Sequence, residues 1–169
     1  MEILADLGEM RVARATREHI PAIERLLADD PTSPEHVATT NLVSDDLLGA
    51  APAGVDLQAI FTRIVTDPNQ TLLVVLDDGD RVIGTMQVTL LPTMARGGGI
   101  RAIVSGARIR AGADSIGIAR RVFEWMTGYA RDNGARVLIV VTDKNRAHIR
   151  GFYTTMGFRA SHEGLVLPL

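Results

Sequence analysis

The joint at residues 108–121 constrains this chain more than any other stretch. Strand-like residues 100–110 run into Ala111, Gly112, Ala113, Asp114 and Ser115, and a long amphipathic pattern opens at Ser115. Ala111, Gly112, Ala113, Ser115, Gly117 and Ala119 are all small, so no bulky side chain shields the backbone at the turn. A strand, a tight turn and a helix N-terminus bring orphan N–H groups and the positive end of the helix dipole to one place, which an anion can approach. The same pattern also serves as a crowded strand–helix joint, and spacing alone leaves both readings open. Beyond the helix, the apolar run at residues 137–141 is that of a strand covered on both faces. Strand, helix and strand in this order call for a parallel, right-handed crossover.

The remaining elements follow from periodicity. Residues 11–15 alternate as a first strand, Thr16 can cap the next helix, and Ile20, Ile23, Leu26 and Leu27 form its apolar face. Residues 31–54 carry Pro31, Pro34, Pro52, Gly49 and Gly54 without regular spacing. A loop of this length is either a mobile surface loop or a lid over an acceptor site. Residues 55–66 return to helical spacing. Residues 71–76 and 82–91 read as a hairpin around Asp77-Asp-Gly-Asp80. On its second strand, Gln87 and Thr89 face either a cleft or solvent. The long helix shows Ile118, Val122, Trp125, Met126 and Tyr129 on one side and ends at Asn133 and Gly134. A short helix at 147–156 carries Phe152 and Tyr153, and residues 158–169 are strand-like.

The order β-α-α-β-β-β-α-β-α-β predicts one α/β domain with a mixed central sheet. Its N-terminal half is antiparallel, a parallel strand–helix–strand crossover closes it, and helices lie on both faces. Residues 1–9 read as a tail, with Met10 as an alternative start, and residues 10–169 as the domain. A chain of 169 residues is long enough for one proper core. A formal net charge of -2 gives no basic field for nucleic acid. The absence of cysteine removes disulfides, thiolate metal sites and a cysteine nucleophile. His19, His36, His148 and His162 show no ligand spacing, so no metal is expected. No Gly-Lys pair exists for a Walker loop. The N-terminus lacks a signal-peptide pattern and no stretch is apolar enough to span a bilayer, so a cytoplasmic protein without membrane partners is expected.

Several segments in this order resemble the GNAT superfamily of acyl-CoA-dependent N-acyltransferases, and the resemblance runs through nearly the whole chain from Met10. Residues 101–110 look like the central strand that carries the pantetheine arm. Gly117-Ile-Ala119 looks like the end of the superfamily's pyrophosphate loop. Thr142-Asp-Lys-Asn-Arg146, Gly151-Phe-Tyr153 and Met156-Gly-Phe158 resemble the segment after the next strand and the tyrosine-bearing helix. Ser161-His-Glu-Gly164, Asp67-Pro-Asn69 and Gln87-Val-Thr89 resemble a bacterial subgroup of the superfamily.

The resemblance implies acetyl-CoA as co-substrate and direct attack of a neutral primary amine on its thioester. The amine would belong to a small molecule or a peptide, and a homodimer is possible. Ala107, Arg108 and Ile109 are then candidate cofactor residues through the strand backbone. Asp114, Ser115, Ile116, Gly117, Ile118 and Ala119 are candidates at the pyrophosphate, and Asn145 is one beside the tyrosine helix. Tyr153 is implied as the general acid that protonates the leaving thiolate. By residue type alone, Tyr153 beside Phe152 reads as a buried core aromatic and Asn145 as a helix-start residue.

Two positions depart from the pattern. Asp114 stands where the loop normally opens with arginine or glutamine, with Arg110, Arg120 and Arg121 near enough in sequence to offset its charge. Ser105 stands where the subgroup would carry a glutamate base. These departures keep open a GNAT-like protein that binds CoA or dimerises without catalysis. A serine hydrolase is a second alternative, since Ala113-Asp-Ser-Ile-Gly117 is one residue from a nucleophile elbow, with Asp143 and His162 following in order. Asp29, Asp30, Glu35, Asp45 and Asp46 weakly favour a cationic acceptor.

Overall fold

Hydrophobic periodicity along the strands and helices leaves apolar surface on both faces of a sheet, and the fold buries both. The computed structural model describes residues 1–28, 39–42, 54–112, 114–142 and 146–167. In chain order the elements are β1 (Ile3–Asp6), β2 (Met10–Arg14), α1 (Ile20–Leu27), β3 (Thr39–Asn41), α2 (Leu57–Thr66), β4 (Gln70–Asp77) and β5 (Val82–Thr93). Then come β6 (Gly99–Arg110), α3 (Ser115–Asp132), β7 (Ala135–Val140) and α4 (Ala147–Thr155). The strands form one mixed sheet in the order β1-β2-β4-β5-β6, with both β3 and β7 paired to β6. All described pairings are antiparallel except β6–β7, the parallel pair of the expected crossover. The sequence-based α/β reading is therefore the observed architecture.

Two cores hold the helices to the sheet. Val12, Leu73, Val75, Met86, Val88, Ala102 and Val104 pack on one face against Ala119, Val122, Phe123 and Met126 of α3 and against Ile149, Phe152 and Tyr153 of α4. On the other face, Ala13, Leu72, Val74 and Leu76 pack against Ile20 and Ile23 of α1 and Phe61 of α2. Asp56 starts α2 by accepting from Gln58 N–H and Ala59 N–H at 2.9 and 3.1 Å. Asp77 closes the β4–β5 hairpin through Gly79 N–H and Arg81 N–H, each at 3.0 Å.

The structure departs from the sequence reading at both ends and in the middle. The expected tail at residues 1–9 contains β1, which pairs with β2 and is tied by an ion pair from Arg14 to Glu2 at 2.8 Å. The strand-like pattern at the C-terminus does not form a strand at residues 158–167, and Leu165 and Leu167 are exposed. Among the described residues β7 pairs only with β6, and Val137 is half exposed rather than covered on both faces. The short β3 lies within a stretch read as irregular. The rest of that stretch, with its acidic residues and the surface-loop or lid alternatives, lies outside the described residues apart from 39–42 and Gly54.

Candidate active site

The site forms where β6 changes phase. Ala102 and Val104 point to the α3 core before the change, and Ala107 and Ile109 do so after it. The switch from even to odd numbers needs one extra residue. Gly106 supplies it with φ +57, and the register slips between Thr85 and Gln87 on β5. This is a β-bulge, which bends a strand and increases its twist. β7 follows β6 only over Ile100 to Val104. From Ser105 onward β7 no longer pairs with β6, and the wedge between them on the way to the N-terminus of α3 has β3 and Leu42 along its β6 edge.

Tyr153 reaches this wedge from α4. Its ring is held edge-on by Phe123, Phe152 and Phe158, with centroids at 5.4, 5.1 and 5.1 Å. The side chain is buried, and its hydroxyl donates to the Leu42 carbonyl at 2.7 Å. Burial pushes the phenol well above its ordinary pKa, with the Arg146 charge opposing, so it stays protonated near neutral pH. Leu42 N–H in turn donates to Ala107 O at 2.9 Å. Two hydrogen bonds thus link the phenol to β6 just past the bulge. On the β7 side, the Thr142 hydroxyl is buried with no hydrogen-bond partner among the described residues.

At the far end of the wedge, Ser115, Ile116, Gly117, Ile118 and Ala119 make the first turns of α3. Asp114 is the residue before them, but its side chain makes no capping hydrogen bond. It folds back over the turn instead, and a β-carbon at Gly117 would overlap its carboxylate. Arg121 stands 3.8 Å from that carboxylate and 3.9 Å from Glu9. Arg120 turns away from it, donating to Thr155 Oγ1 at 2.9 Å and lying over the Phe152 ring. Arg110 is exposed at the end of β6.

The sheet face opposite α3 carries a polar patch. Ser105 pairs in register with Gln87, and Thr89 lies two residues along. Gln70 Oε1 accepts from Gln87 Nε2 at 2.8 Å and from Thr89 Oγ1 at 2.7 Å. Gln87 and Thr89 are therefore half-buried and tied to Gln70, a residue the sequence reading passed over. Arg108 is buried after the bulge, opposite Thr85 in register. Among the described residues no cluster of histidine, aspartate or glutamate has a metal-binding arrangement.

The predicted residues divide accordingly. Ala107 and Ile109 face the α3 core, with their backbone on the edge of β6 that borders the wedge. Asn145 and Asp143 lie outside the described residues. Of the hydrolase set, Ser115 opens α3, and exposed His162 shares a 2.8 Å hydrogen bond with its neighbour Ser161. Gly106, Leu42 and Thr142 were missed as site residues. A bulge leaves only a lone glycine as its sequence signal, and the run Val37-Ala-Thr-Thr-Asn-Leu-Val43 was the available hint of β3.

Similarity to known proteins agrees with this geometry. The model of the acetyltransferase (GNAT) family matches residues 22–158, and the chain belongs to that family. A crystal structure of a transcriptional regulator from Bacillus halodurans superposes with a TM-score of 0.74 at 26% identity, covering 95% of this chain and 99% of that one. Glucosamine-6-phosphate N-acetyltransferase from Arabidopsis thaliana shares the fold at a TM-score of 0.65 and 14% identity, over 95% and 98% of the two chains. An aminoglycoside antibiotic 6'-N-acetyltransferase from Acinetobacter baumannii does so at 0.66 and 12%, over 95% and 97%. No curated protein sequence matches the chain. No helix among the described residues is long and apolar enough to cross a membrane.

Proposed function

We propose that this protein is an N-acetyltransferase that moves the acetyl group of acetyl-CoA to a primary amine in a ternary complex. The observation that carries the proposal is the Tyr153 hydroxyl, buried, protonated and two hydrogen bonds from β6 where β7 parts from it. The backbone of Ala107, Arg108 and Ile109 would run beside the pantetheine arm, with the Thr142 hydroxyl facing it from the other side. Residues Asp114 to Ala119 would meet the pyrophosphate at the start of α3, where the positive end of the helix dipole favours an anion. Asn145 completes the cofactor set. The amine attacks the thioester carbonyl, the oxyanion draws on backbone N–H donors, and the thiolate leaves with the Tyr153 proton.

The amine would approach across Ser105, Gln87, Thr89 and Gln70. None of these is a base near neutral pH, so the ammonium proton leaves through water. Pairing of two copies is supported by exposed Val137, Val141, Leu165 and Leu167. The test is release of free CoA from acetyl-CoA across a panel of amines, with Tyr153→Phe as the control. Stoichiometric thiol and acetylamine are expected. Binding of acetyl-CoA with no turnover on any amine would favour the non-catalytic reading.

A further inference from the structure

β3 and β7 pair with the same edge of β6, β7 below the bulge and β3 above it. Thr39, Thr40 and Asn41 lie opposite Arg110, Ile109 and Arg108 in antiparallel register, and Leu42 continues the ladder with its N–H on Ala107 O. The backbone edge at residues 107–110 is therefore taken up by another segment of this chain. The Tyr153 hydroxyl is engaged too, on the Leu42 carbonyl. Leu42 is fully buried, in the same core as Phe123 and Tyr153. At the other end, the Asp114 carboxylate lies over the first turn of α3, an anion already at the helix N-terminus.

Resting on the acetyl-CoA reading above, we infer that the cofactor cleft is self-occupied. The strand at residues 39–42 stands in the place of the pantetheine arm and Asp114 in that of the pyrophosphate, so acetyl-CoA binds only by displacing them. A strand edge offers each N–H and C=O to one partner at a time. A phenol that donates to Leu42 cannot at the same moment protonate a thiolate. Closed chain and bound cofactor are thus mutually exclusive. Apparent affinity is reduced by the fraction of molecules in the open state.

Two measurements on the full chain test this. Hydrogen–deuterium exchange with saturating acetyl-CoA should show the amides of residues 39–42 losing protection while residues 105–110 stay protected. Thr40→Pro removes an N–H two residues from the Leu42–Ala107 bond, the next hydrogen-bonded position of an antiparallel ladder. By calorimetry it should bind acetyl-CoA about tenfold more tightly than the unaltered protein. Tyr153→Phe, which frees the Leu42 carbonyl, should also bind more tightly while turning over more slowly. If the unaltered protein binds acetyl-CoA with residues 39–42 still protected, and Thr40→Pro gains nothing, displacement is wrong and the transferase reading survives. If none of the three folded proteins binds acetyl-CoA, both readings fall. The exchange result stands without Thr40→Pro should that variant not fold.

Discussion

At the scale of single residues, chemistry and occupancy meet at Tyr153 and Asp114. Removing a positioned general acid typically lowers rate by about a hundredfold or more. Tyr153→Phe should reduce kcat by about that factor without raising the KM for acetyl-CoA. The raised phenol pKa keeps the proton in place, so the ratio of unaltered to variant kcat should stay constant up to about pH 9. A ratio that shrinks between neutrality and that pH would show a different acid. Asp114 is exposed enough for its charge to be worth a modest amount. Asp114→Asn keeps the shape and removes the charge, and by the helix-terminus range it should tighten acetyl-CoA binding about two- to fivefold at low salt. Titration calorimetry at two ionic strengths checks this, and weaker binding would mean that the carboxylate helps to hold the ligand.

At the scale of elements, the strand–helix–strand crossover was legible because its periodicities are long and unambiguous: an alternating strand, an 18-residue amphipathic helix and an apolar run. The β4–β5 turn was legible from its local Asp-Asp-Gly-Asp signature, whereas the Asp56 cap of α2 was not read. Tyr153 was singled out only through the family resemblance, since Phe152 beside it reads as core by residue type and is indeed buried. The bulge was not legible, because a two-residue period reads the same on either side of one inserted glycine until burial shows the phase change. β3 and the lack of a strand at residues 158–167 were settled by tertiary pairing, which three or four residues of local pattern do not determine. Close packing behind the bulge gives a test at this scale. A β-carbon at Gly84 would lie 2.5 Å from Ile109 Cδ1 and 3.1 Å from Arg108 O. Gly84→Ala should therefore destabilise the fold by about 1–3 kcal/mol in a urea titration, as overpacked cores do. A neutral effect would mean that β5 and β6 adjust more easily than their close approach implies.

At the scale of the whole molecule, one sheet separates two cores. The α3–α4 core carries the phenol, and the opposite face carries the polar patch and α1. The entry to α1 adds a pH dependence to the global stability. His19 Nδ1 accepts from Thr16 N–H at 3.0 Å, and partial burial lowers the histidine pKa below 6.5. The unfolded chain then binds the proton more readily than the folded one. The contribution is present above about pH 6.5 and is lost as pH falls through the lower folded value. Between about pH 7.5 and about pH 5.5 the melting temperature of His19→Gln should fall less than that of the unaltered protein. Parallel slopes would remove His19 from the account.

Acetyl-CoA as the ligand of this fold is the claim on which the mechanism and the self-occupied cleft both depend, and thermal unfolding with acetyl-CoA tests it most directly. A ligand at about a hundred times its Kd stabilises the folded state by about 2.7 kcal/mol. For a chain of this size that raises Tm by about 5–10 °C. A rise of that order, absent in a matched salt control and with adenosine alone, is the predicted result. An unchanged Tm at millimolar acetyl-CoA would contradict the account.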